Sequence, residues 1–70
     1  MEILVFKTSL TNTNHISKVK PTLNHHPLIR EWNVDLNDCD NILRVVSDKI
    51  SAMEVEALIK NAGHFCEELQ

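Results

Sequence analysis

The spacing of apolar residues switches back and forth along this chain, and that switching restricts the folds open to it. Glu2 to Ser9 is rich in β-branched and aromatic residues and reads as a strand. The polar stretch Thr8 to Asn14 follows, full of side chains that accept from the free backbone N–H groups of a helix start. Ile16, Val19 and Leu23 then recur at steps of three and four, which marks one face of a helix. Pro21 falls inside that face. It removes a backbone donor and costs about 3 kcal/mol in an unadapted helix interior, so a bend or a loosened turn is expected there. The helix is expected to stop near Asn24, because Pro27 disfavours helical geometry at His26.

Period two returns at Trp32, Val34 and Leu36, which alternate with Glu31, Asn33 and Asp35 as in a strand with one wet face. Asn37 to Asn41 is a turn cluster, since Asn and Asp bond their own backbone and tolerate left-handed geometry. Ile42 to Val46 comes back as the second strand of a hairpin. Ser51 followed by Glu54 is a capping box in which each side chain serves an N–H of the other. Val55, Leu58, Ile59 and Ala62 form the stripe of the helix it opens, and Gly63 suits the position just past its end. His64 to Leu69 supplies a last short strand. The order β-α-β-β-α-β is the split-βαβ, ferredoxin-like plan of an α+β domain: four antiparallel strands with two helices on one face. That plan hosts many functions, so function has to be sought in the side chains.

At 70 residues the chain makes one domain, 1–70, and each core residue carries weight. Aromatics are confined to Phe6, Trp32 and Phe65, so the core must be built mostly from Ile, Leu and Val. The formal charge is −3 with no basic stripe and no stacking platform, which argues against nucleic-acid binding. No apolar run approaches the roughly 20 residues needed to span a bilayer, so no membrane role is expected. The start of the chain has no signal-peptide pattern, and a cytoplasmic location is expected. Cys39 and Cys66 form no CxxC and read as independent thiols in a reducing compartment.

With the elements placed, the chain resembles the heavy-metal-associated (HMA) domains of copper chaperones and metal-transporting ATPases over nearly its whole length. Such domains open with strand, Met-Thr-Cys-x-x-Cys and helix. Here Leu10-Thr11-Asn12-Thr13-Asn14-His15-Ile16 falls on that motif, with Val19 and Leu23 continuing the helix stripe. Trp32, Val34 and Leu36 match the family's Val-x-Val-x-Leu strand, and Ala62-Gly63-His64 occupies its Ala-Gly-aromatic corner. The departure lies at the metal loop, where Asn12 and His15 stand at the two cysteine positions. Thiolates select Cu(I) because sulfur is polarisable and ionises on binding, and a neutral amide does not replace one. The family's Cu(I) exchange is therefore not carried over to this chain.

In this topology His64 is expected beside the Thr11–His15 loop, at the pole where the second helix ends. Two readings of that pole stand side by side. In one, His15 and His64 converge on a metal ion with Asn12 or water completing the shell, a nitrogen site suited to Zn(II), Cu(II) or Ni(II). In the other they are a solvated loop histidine and a helix-end cap. Asp38, Cys39 and Asp40 at the hairpin tip offer a mixed hard and soft ligand set, but on strands expected to lie farther from the loop, where a solvated turn is the simpler account. Cys66 reads as a small core residue, with a His64-x-Cys66 edge pair as the alternative. His25 and His26 read as exposed loop residues at the opposite pole. No base held by a third group accompanies Ser9 or Ser17, and the single Gly leaves no phosphate loop, so no enzyme is expected. Two functions follow: a non-enzymatic module that docks a protein partner through the Thr11–His15 loop and the first-helix face with Lys18 and Lys20, or a divergent transition-metal binder using His15 and His64. An open sheet also leaves two edges for self-association, and the oligomeric state stays open.

Overall fold

The computed structural model describes residues 1–69. Its elements are β1 (Glu2–Thr8), α1 (Thr13–His25), β2 (Ile29–Asp35), β3 (Ile42–Ser47), α2 (Ala52–Asn61) and β4 (Cys66–Glu68). One antiparallel sheet has the order β2-β3-β1-β4, which with two helices is the ferredoxin-like fold. β1 is central: Phe6 lies opposite Leu43 on one side and Glu68 on the other. Alternate residues of the inner strands, Phe6, Leu43 and Val45, close a core with Val19 and Leu23 of α1 and Val55 and Ile59 of α2. The opposite sheet face is open, and Ile3 stands out from it. Among the described residues, no helix is long and apolar enough to cross a membrane.

Several boundaries differ from the sequence expectation, each for a physical reason. β2 begins at Ile29, not at Glu31, because a bulge between Ile29 and Glu31 reverses the in-out alternation. Ile29 and then Trp32 and Val34 thereby reach the core, while Arg30 and Glu31 both face solvent. Leu36 lies beyond the strand and is exposed. α1 runs unbroken through Pro21, where a bend or a loosened turn was expected. The carbonyl that Pro21 leaves without a donor belongs to Ser17, four residues earlier, and both residues are exposed, so water can satisfy it. The helix continues one residue past Asn24 and ends at His25, since Pro27 restricts only His26, whose extended ψ of 124 closes the helix.

Only half of the expected capping box forms. Ser51 Oγ accepts from the Glu54 N–H at 3.1 Å, but the Glu54 carboxylate turns to His26 Nε2 at 3.5 Å. His26 Nδ1 meanwhile accepts from the Leu28 N–H at 3.2 Å. His26 is thus a half-buried tie between the end of α1 and the start of α2, not the exposed loop residue expected, and His25 donates separately to the Pro21 carbonyl at 2.7 Å. Their rings serve different partners. β4 is shorter than expected, and His64 and Phe65 precede it in a connection that the site makes use of.

Candidate metal centre

Three segments meet at the end of β1. The first is the start of α1. Asn12 is its N-cap, and its Oδ1 accepts from the His15 backbone N–H at 3.0 Å, which fixes the Asn12 side chain on the first turn. The His15 ring folds back over the loop, with Nδ1 accepting from the Thr11 N–H at 3.2 Å and lying 3.3 Å from Thr11 Oγ1. An amide N–H can only donate, so Nδ1 is the bare nitrogen and Nε2 carries the proton.

The second segment follows α2. Gly63 adopts φ +90, a left-handed conformation that glycine enters without a Cβ penalty. The Gly63 N–H donates to the Lys60 carbonyl at 2.9 Å and the His64 N–H to the Ile59 carbonyl at 3.2 Å, the paired bonds of a Schellman ending. Ser9 then clamps the exit. Its N–H donates to the Phe65 carbonyl at 3.2 Å, and its Oγ accepts from the Phe65 N–H at 2.8 Å. These bonds bring the ring of His64 to that of His15, with centroids 4.5 Å apart and planes tilted by 48°.

The third segment is the hairpin tip. The Thr8 N–H donates to the Asp40 carbonyl at 3.2 Å, and Thr8 Oγ1 donates to the Asn41 carbonyl at 2.7 Å. The tip is therefore tied directly to the last residue of β1, closer to the loop than the sequence suggested. One ligand atom each from Asp38, Cys39 and Asp40 lies within 4.8 Å of the others. Both carboxylates already have partners, however: Asp38 Oδ1 accepts from the Asp40 N–H at 2.9 Å, and Asp40 Oδ1 faces Lys7 Nζ at 3.6 Å. These are turn contacts. Cys66 is buried in the core, where burial above all, with Glu56 adding to it and Lys60 opposing, pushes its thiol up to about 12. A thiol so held does not ionise to bind metal at neutral pH.

His64 is held neutral to a lower pH than an ordinary histidine, first by burial and then by the charges of His15 and Lys18. Below the ordinary value of 6.5 the unfolded chain gains this proton before the folded one does, so acid favours unfolding. The stability involved is complete above that value and is lost as the pH falls through the folded one. We expect the melting temperature of the metal-free protein to fall slightly between about pH 7 and about pH 5, with a shallower slope in His64→Asn. An unchanged slope in the variant would show that this environment does not oppose the charge.

Two imidazoles this close could hold a borderline metal between them. Zn–N bonds of about 2.0–2.1 Å at a tetrahedral angle put two ring centroids about 5 Å apart, so the rings need to part only slightly. A metal held by His15 Nε2 would require the ring proton on Nδ1, where Thr11 Oγ1, 3.3 Å away, could accept it in place of the bond from the Thr11 N–H. Asn12 Oδ1 is committed to the cap but keeps a second lone pair. Ser9 was not legible as part of this site, because nothing in local spacing links it to His64.

No protein-family model matches the chain, and no curated protein sequence matches it. Solved structures do. A copper binding domain from HMA7, a P-type ATPase, superposes with a TM-score of 0.85 at 20% identity, covering 100% of this chain and 96% of that one. The yeast copper transporter domain Ccc2a gives 0.84 at 17% identity, covering 100% and 97%, and the Atx1-Cu(I)-Ccc2a complex is matched as well, at 0.85. The HMA domain of the copper chaperone for superoxide dismutase gives 0.79 at 20% identity, and this chain, 97% of it aligned, spans 66% of that one. The fold is that of the heavy-metal-associated domains of copper chaperones and P-type ATPases.

Proposed function

We propose that this protein is a non-enzymatic binding module that holds a borderline transition-metal ion, Cu(II), Ni(II) or Zn(II), between His15 and His64. The observation that carries this is the 4.5 Å separation of two rings far apart in sequence, one of them kept neutral by its surroundings. When bound, the ion supplies Lewis acidity and charge; the chain's own part is to present two imidazole nitrogens, with Asn12 Oδ1 or water completing the shell. Two neutral donors leave the ion's charge uncompensated beside a helix N-terminus and Lys18, which limits the affinity. A dissociation constant near micromolar, about −8 kcal/mol, is expected. Two free thiols fit a reducing compartment, and we place the protein in the cytoplasm.

The second reading is a protein-docking role through the Thr11–His15 loop and the α1 face. It is favoured by the exposure of Lys18 and Lys20 on that face, and by the complex known for a domain of the same fold. Calorimetric titration of the reduced protein with Zn(II), Cu(II) and Ni(II), and anaerobically with Cu(I), separates the two. The metal reading expects one ion per chain, lost in His15→Ala and in His64→Ala and kept in His25→Ala. Wild-type protein that binds none of the divalent ions sinks it and leaves the docking role.

A further inference from the structure

We propose that Ser9 is the positioning residue of the histidine pair: its hydroxyl oxygen accepts the Nδ1 proton of His64 and leaves the Nε2 lone pair free for the ion. The inference rests on the metal reading for its purpose, but it stands on a geometry of its own. Ser9 Oγ lies 3.4 Å from His64 Nδ1, and no other side chain hydrogen-bonds to that ring nitrogen among the described residues. One lone pair of Ser9 Oγ takes the Phe65 N–H at 2.8 Å, which pins the hydroxyl in place and leaves the other lone pair for His64.

The opposite tautomer offers the site no free nitrogen. His15 carries its proton on Nε2, because its Nδ1 accepts from the Thr11 N–H. A His64 protonated on Nε2 would instead accept from the Ser9 hydroxyl at Nδ1 and would cover the lone pair that the ion needs. Protonated on Nδ1, it offers a bare nitrogen to the site and donates to Ser9. Metal-binding histidines as a rule donate their other ring N–H to an oxygen that fixes tautomer and orientation, and loss of that oxygen costs about 10- to 100-fold in affinity. Ser9 occupies that place here, from the end of β1, and the same residue ties Phe65 down. It sets both where His64 sits and which nitrogen it offers.

Long-range ¹H–¹⁵N spectra of the metal-free protein at about pH 8, where histidines are neutral, test this directly. Wild type and Ser9→Thr, which keeps the hydroxyl, are expected to hold the His64 proton on Nδ1. Ser9→Ala is expected to shift it toward Nε2 and to weaken Ni(II) or Zn(II) binding by roughly 10- to 100-fold, with Ser9→Thr restoring it. A His64 proton on Nε2 in the wild type, or one unmoved by Ser9→Ala in a folded variant, overturns the proposal whatever the metal does. A proton on Nδ1 that depends on Ser9, in a protein that binds no metal, upholds the role of Ser9 and removes only the metal reading.

Discussion

Changing Asn12 and His15 together to cysteine is expected to raise the affinity for Cu(I) by at least roughly a thousandfold, about 4 kcal/mol. The two positions flank the first turn of α1, and their side chains already approach to 3.5 Å, between Asn12 Nδ2 and His15 Nε2. Two thiols there would lie at a helix N-terminus near Lys18, a setting that lowers thiol pKa and favours thiolate. Their negative charges would also compensate the ion, which the two imidazoles do not. The fold pays for the change mainly through the lost Asn12 cap, about 1 kcal/mol. Anaerobic competition against a coloured Cu(I) chelator measures the gain. A double variant that competes no better than wild type would mean that positions 12 and 15 are not the structural equivalents of the family's cysteine pair. The single variants should show little of the effect, because one thiolate makes no clamp.

Phe6→Ala is expected to remove about 3–5 kcal/mol of stability, the range for truncating a buried phenylalanine. A domain of this length has only about 4–10 kcal/mol in total, so much or all of it would go. Phe6 is fully buried at the centre of β1, the strand that pairs on both sides. It also closes the core between Leu43 and the two helix stripes, in a chain with few other aromatics to share the load. Melting followed by circular dichroism should show the midpoint lower by roughly 12–40 °C, or no cooperative transition at all. A drop of only a few degrees would mean that the surrounding side chains collapse into the space. His15→Ala, in the first turn of α1 and outside the buried core, should lower the midpoint far less, so the two variants separate loss of fold from loss of site.

The element order was legible because each element announces itself locally. Val55 and Ile59 share a helix face by spacing alone, Ser51 caps by its hydroxyl, and Gly63 ends α2 by its freedom at positive φ. The misses share a different cause. The bulge at the start of β2 depends on how β2 pairs with β3, the tolerance of Pro21 depends on which side of α1 faces water, and the partner of Glu54 depends on where α1 ends. None of these is written in a window of neighbouring residues.

The same division runs through the site. The sequence by itself determined the donor chemistry: an amide and an imidazole at positions 12 and 15, and a histidine after the Gly63 corner. A side chain's ligand atoms are a property of the residue, whatever surrounds it. Tertiary structure alone decided that the rings of His15 and His64 stand 4.5 Å apart, that Thr11 sets the tautomer of one, and that Ser9 lies against the other. Those are contacts between residues up to 55 positions apart, closed only when β1, α1 and the end of α2 dock on one core. Burial and hydrogen-bond geometry are created by that docking, and with them the difference between two histidines in a chain and two imidazole rings at one place.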